Sequence, residues 1–171
     1  MTVLRPELLA GRTVVLVGDA PDVRSRLGEL GASVVADRSV DGSADAIVYH
    51  AAAAFGDGGT AGLRDAQARG WTAIREVATG ALIPQERGKV VMIAPRPEAG
   101  AFAGAARAAL ENLARTLSVE WARYGVTATV ITPGDATTDD QVAQLVCFLV
   151  SPAGDYFSGC RFSLGVVDPA A

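Results

Sequence analysis

The chain has 171 residues, half of them hydrophobic and a fifth charged, which fits one globular domain spanning residues 1–171 and excludes a disordered or fibrous polymer. A formal net charge of −4, with no basic run carrying interleaved aromatics, argues against a general affinity for nucleic acid or anionic membrane. Two cysteines and a single histidine supply neither a disulfide framework nor a zinc cluster.

Residues 13–17, Thr-Val-Val-Leu-Val, form a short β-rich apolar run ended by Gly18 and read as a buried parallel strand. Asp19 is placed to cap the following helix, with Pro21 in its first turn and Asp22 near its positive end. That helix reaches Leu30, and Gly31 stops it. Residues 33–36 and 46–49 read as the second and third strands. After the loop Gly56-Asp57-Gly58-Gly59, the spacing of Trp71, Ile74, Val77, Ala78 and Leu82 predicts a helix over residues 63–82. Residues 89–93 are the fourth strand. The stripe Ala106, Leu110, Leu113, Leu117 and Trp121 predicts a helix over residues 102–123. A fifth strand follows at 127–131. Next come a helix at 139–149 with Val142, Leu145, Val146 and Leu149 inward, and a sixth strand at 161–166. Cys147 lies in an apolar run and reads as a buried thiol. Strands alternating with helices imply an α/β class: a Rossmann-like, doubly wound parallel sheet in a three-layer αβα sandwich of about six strands. The N-terminus lacks a signal-peptide pattern, and no apolar run approaches the roughly 20 residues that cross a bilayer, so a cytoplasmic location is expected.

Several motifs recur in order. They are Gly88-Lys89-Val90-Val91-Met92-Ile93, then Ala105-Ala106-Arg107-Ala108-Ala109-Leu110-Glu111-Asn112-Leu113, then Pro133-Gly134, Phe148-Leu149-Val150-Ser151 and Phe157-Ser158-Gly159. Together they resemble the glycine-led strand, A-S-K-A-A-L-x-x-L, P-G, F-L-x-S and I-T-G segments of the short-chain dehydrogenase/reductase family. The likeness covers nearly the whole chain. It implies an NAD(P)-binding fold, a catalytic Ser at the end of the fourth strand, and Tyr-x-x-x-Lys on the next helix.

The functional positions depart from that pattern. Ala94 stands at the Ser position, Ala103 at the Tyr, Arg107 at the Lys, and Trp71 near the Asn that anchors the family's proton relay. Ala103 has no proton to give, neighbouring Phe102 lacks a hydroxyl, and an arginine does not reproduce the lysine's role. Of the family's glycine-rich phosphate loop only Gly18 survives. Asp19 and Asp22 bring negative charge to the diphosphate position, and Pro21 removes an amide donor. In a partly dry site two such carboxylates would cost a diphosphate several kcal/mol, roughly. Asp37 falls about 20 residues after the first strand, where a ribose-binding acid is expected, or is an ordinary strand-end residue. Thr138 matches the carboxamide-binding Thr of the family's P-G-x-x-x-T and is equally a helix cap, the reading favoured here. The family's N-N-A-G becomes Tyr49-His50-Ala51-Ala52, and His50 has no partner at a recognisable spacing. The segments that wall the adenine pocket and lid the substrate are shortened.

What stays intact is the helices at 63–82 and 102–123, which in the family pair subunits. Phe102, Ala105, Ala109 and Val119 lie off the core stripe and fit such pairing. The leading expectation is therefore a degenerate, truncated, non-catalytic subunit with no cofactor of its own. It would join a homo- or hetero-oligomer with a short-chain-dehydrogenase-type subunit through these helices. Two alternatives stand beside it. One is an NAD(P)-dependent oxidoreductase with a shifted site, using Tyr49 or His50 as the acid. The other is a small-molecule binding or sensing module in the crevice at the strand ends.

Overall fold

The central strands carry apolar side chains on both faces, and that pattern places them in the interior of a layered structure. The computed structural model describes residues 4–36 and 43–165. Six parallel strands form one sheet: β1 (Thr13–Val17), β2 (Ser33–Ala36), β3 (Ala46–His50), β4 (Gly88–Ile93), β5 (Val126–Pro133) and β6 (Cys160–Leu164), in the order β2-β1-β3-β4-β5-β6. Val15 pairs with Val35 on one side and Ile47 on the other, and Ile93 pairs with both His50 and Ile131.

The alternation along each strand divides the core in two. Val14, Leu16, Val48, Val91 and Ile93 pack with Val23 and Leu27 of α1 (Pro21–Glu29) and with Val146 and Leu149 of α5 (Asp139–Val150). Val15, Ile47, Tyr49, Val90 and Met92 face the other way, against Ile74 and Val77 of α3 (Thr60–Val77) and Leu110 and Leu117 of α4 (Ala103–Glu120). Each buried leucine contributes about 1.5–3 kcal/mol relative to an exposed one. A short α2 (Ala52–Phe55) links β3 to α3. At the base of the sheet the Lys89 ammonium donates to the carbonyl oxygens of Leu149 and Ser151 and pairs with Asp155, tying the end of α5 to β4.

The fold class read from the sequence is the one observed, while several boundaries move. The predicted helix at 63–82 begins earlier, at Thr60, and its last turn, Ala78–Leu82, is a π-helix. The predicted helix at 102–123 ends at Glu120, with a separate 3-10 turn at Ala122–Tyr124. β5 extends to Pro133 because β6 continues the ladder there, pairing Thr132 with Ser163 and Pro133 with Leu164, while the pairing with β4 ends at Ile131. Asp19 does not cap α1. With Pro21 in the first turn, Ala20 takes the N-cap position without a side-chain bond, leaving Asp19 one residue too far out. Cys147 is buried, as read. No helix among the described residues is long and apolar enough to cross a membrane.

Candidate functional site

The strand order reverses between β1 and β3, and open α/β sheets place ligands beyond the carboxyl ends of the strands at such a point. A cavity of ≈ 390 Å³ opens there. Val23, Ile93, Ala94 and Val142, all buried, supply its apolar surface, while Asp19, Asp22 and Glu98 are exposed members of its wall. Arg96 also lines it, donating to the Gly134 carbonyl at 3.0 Å and pairing with Asp139 at 2.7 Å. A second cavity of ≈ 550 Å³ lies against α3, lined by Gly18, Tyr49, Arg69, Thr72 and Glu76. His50 lines both.

Gly18 closes the end of β1. Its φ of +97° is a left-handed conformation, and a Cβ there would come 2.4 Å from the His50 carbonyl oxygen. The close approach of two strand ends is thus a sufficient reason for this glycine. The His50 ring reaches back over the same turn, with Nδ1 2.8 Å from the Asp19 carbonyl oxygen. A carbonyl only accepts, so Nδ1 carries the proton. Burial lowers the His50 pKa, and the ring is neutral at pH 7 with Nε2 as an acceptor. Tyr49 points to the opposite layer. It is buried, donates to the Ala66 carbonyl at 2.5 Å, and its pKa is pushed up to about 12 by desolvation. A phenol so engaged is a poor proton donor, which removes Tyr49 from the alternative that used it as an acid.

The positions aligned with the catalytic set are not brought together. Ala94 lines the cavity at the end of β4. Ala103 is 1% exposed and packs in the α3/α4 core, outside both cavities. Arg107 donates from Nη1 to the carbonyl oxygens of Pro95 at 2.8 Å and Pro133 at 2.7 Å. Burial lowers its pKa, but a guanidinium starts high enough to stay charged. Trp71, aligned near the family's Asn, is 43% exposed and stacks on Trp121 at 6.5 Å, outside the lining of both cavities. Thr138 caps α5 in a reciprocal box: it accepts from the Gln141 amide at 3.2 Å, and its own amide donates to Gln141 Oε1 at 2.9 Å. Asp37 lies outside the described residues. Sequence reasoning missed Arg96 and Glu98, which follow β4 in a loop without a motif.

The first turn of α1 departs from a diphosphate cradle. The N-terminal turn of α1 offers Pro21, which has no N–H, and a carboxylate, Asp22. Asp19 and Asp22 are exposed, so water screens them, and the repulsion of a diphosphate is about 1 kcal/mol per charge pair, below the figure for a dry site. Among the described residues no three His, Cys, Asp or Glu side chains converge as metal ligands.

Neither a protein-family model nor a curated protein matches the sequence. Solved structures match the fold. A citronellol catabolism dehydrogenase, AtuB, from Pseudomonas aeruginosa PAO1 superposes with a TM-score of 0.74 at 20% identity, covering 95% of this chain and 96% of that one. BdcA from E. coli gives 0.68 at 21% identity over 92% and 100% of the two chains. BdcA in complex with NADPH gives 0.71 at 19% identity over 91% and 93%. The architecture is therefore shared with a dehydrogenase and with an NADPH-holding protein.

Proposed function

We propose that this chain is a non-catalytic subunit, a degenerate relative of the short-chain dehydrogenases, that assembles with an active reductase of the same fold. The observation that carries the reading is the fate of the two helix positions that hold phenol and lysine in that family. Ala103 is packed into the core, and Arg107 spends its guanidinium on two main-chain carbonyls. Neither side chain offers a proton to a substrate there, yet the six-stranded sheet and its flanking helices are kept.

The outer face of α3 and α4 supports pairing. Phe102, Ala105, Ala109, Asn112, Thr116 and Val119 share one face of α4 at three- and four-residue steps. Val119 is 75% exposed, and a groove of ≈ 270 Å³ between the helices is bordered by Trp71, Ala109, Asn112 and Leu113. Small residues at Ala105 and Ala109 permit close helix approach. The test is sedimentation of the purified chain alone and mixed with the reductase encoded nearest to it. A hetero-oligomer that Ala109→Arg abolishes supports the proposal; a chain that stays monomeric in both samples removes it.

A second reading keeps NAD(P) chemistry at a shifted site, where the neutral His50 ring would serve as a proton acceptor rather than the acid first expected, and is supported by the NADPH bound to BdcA, a protein of the same fold. Calorimetric titration with NADH and NADPH separates the two, since binding tighter than about 1 mM favours an oxidoreductase.

A further inference from the structure

We propose that the ≈ 390 Å³ crevice is a binding site for a compact organic cation, an ammonium group on an apolar body. The inference goes beyond subunit pairing. It concerns a cavity walled by α1, α5 and the loop after β4, whereas the pairing face is formed by α3 and α4.

The cavity has the shape and place of a ligand site. Its buried apolar residues Val23, Ile93, Ala94 and Val142 suit a hydrocarbon or aromatic body, and it sits at the switch point of the sheet. The polar groups around that surface set the sign of the ligand. Asp19, Asp22 and Glu98 have no ion pair among the described residues. Arg96, the one cationic side chain lining the cavity among the described residues, is spent on Asp139 and on the Gly134 carbonyl. His50 adds another acceptor, because its Nδ1–H is given to Asp19 and the neutral ring keeps a bare Nε2. The positive end of α1 is answered within its own first turn by Asp22, and Pro21 withdraws an amide. The groups left over accept hydrogen bonds and carry negative charge. An alkylammonium satisfies both with its N–H donors, and its body covers the apolar surface. A hydrated divalent ion would leave that surface bare, and no metal-ligand cluster is present among the described residues.

Three probes with one body and different heads test this: 4-phenylbutylamine, 4-phenylbutanol and 4-phenylbutyrate, titrated calorimetrically into the full chain at low salt. NADPH is titrated in parallel. Each exposed carboxylate adds little alone, so the amine is expected to bind about tenfold more tightly than the alcohol, with the carboxylate weakest. In the double variant Asp22→Asn, Glu98→Gln, whose exposed positions leave the core intact, the amine preference should fall to about threefold or less, with alcohol affinity unchanged. The inference is overturned if the carboxylate or NADPH binds as tightly as the amine, or if amine and alcohol bind equally. It is equally overturned if none of the probes binds at millimolar concentration, or if the double variant keeps the full preference.

Discussion

Arg107 holds the Pro133 carbonyl oxygen at 2.7 Å from its Nη1, so the side chain that takes the family's lysine position closes the end of β5. The same nitrogen reaches Pro95 at 2.8 Å, just past β4. Both prolines are buried, and without the guanidinium these oxygens would lose their side-chain donor. Arg107→Ala should therefore destabilise the fold by about 1.5–3 kcal/mol, and Arg107→Lys by less, because an ammonium still donates. Urea unfolding of the two variants checks this; equal losses would show that packing of the stem, not donation, is what matters.

Placing a phenol and an ammonium at positions 103 and 107 should not create a reductase. Ala103→Tyr introduces a phenol at a site with 1% exposure, where overpacking costs about 1–3 kcal/mol. Combined with Arg107→Lys, it should give no NADPH-dependent reduction of a carbonyl panel, since the α1 turn still lacks a diphosphate cradle. Steady-state assays alongside thermal melts separate loss of fold from absence of chemistry.

Stability should fall on mild acidification because of His50. Its ordinary pKa of 6.5 is lowered in the fold, chiefly by burial, so below that value the unfolded chain takes up a proton that the folded chain resists. The stabilisation is full above the unfolded pKa and is lost as pH drops through it toward the folded value, with a slope of at most about 1.4 kcal/mol per pH unit. The Asp19 and Asp139 charges favour the protonated ring and Arg96 opposes it, yet the net direction is downward. His50→Asn keeps a donor for the Asp19 carbonyl and should flatten the decline. Denaturant midpoints measured between neutral pH and mild acid would reveal it.

Gly70 has no room for a methyl group. A Cβ there would lie 2.5 Å from Tyr49 Cε1, and Tyr49 is fixed by its bond to Ala66. Gly70→Ala should thus cost about 1–3 kcal/mol, although alanine is the better helix former by about 1 kcal/mol. Gly80, where a methyl group would meet nothing within 4 Å, is the control: Gly80→Ala should be neutral or stabilising.

Much of the architecture is legible in the sequence because burial imposes period. The helix stripe Ala106, Leu110 and Leu117 is buried as its spacing requires, and the apolar runs of β1, β3 and β4 fit only interior strands. Trp71 keeps the helical spacing of α3, but its ring is 43% exposed and stacks on Trp121, a pairing that the spacing does not reveal. Asp19 misleads as a cap because one residue of slack before Pro21 moves the N-cap to Ala20. The Thr138 cap is readable, since Gln141 sits three residues on and completes the box. The crevice is not. Arg96, Glu98 and Asp139 are far from Asp19 in sequence, and only the parallel register of four strands brings their loops to one rim.

Tyr49 and His50 are consecutive, and one planar peptide unit joins a side chain anchored to α3 with one that borders the crevice. The crevice on one face of the sheet and the α3 layer on the other thus meet at adjacent residues of β3.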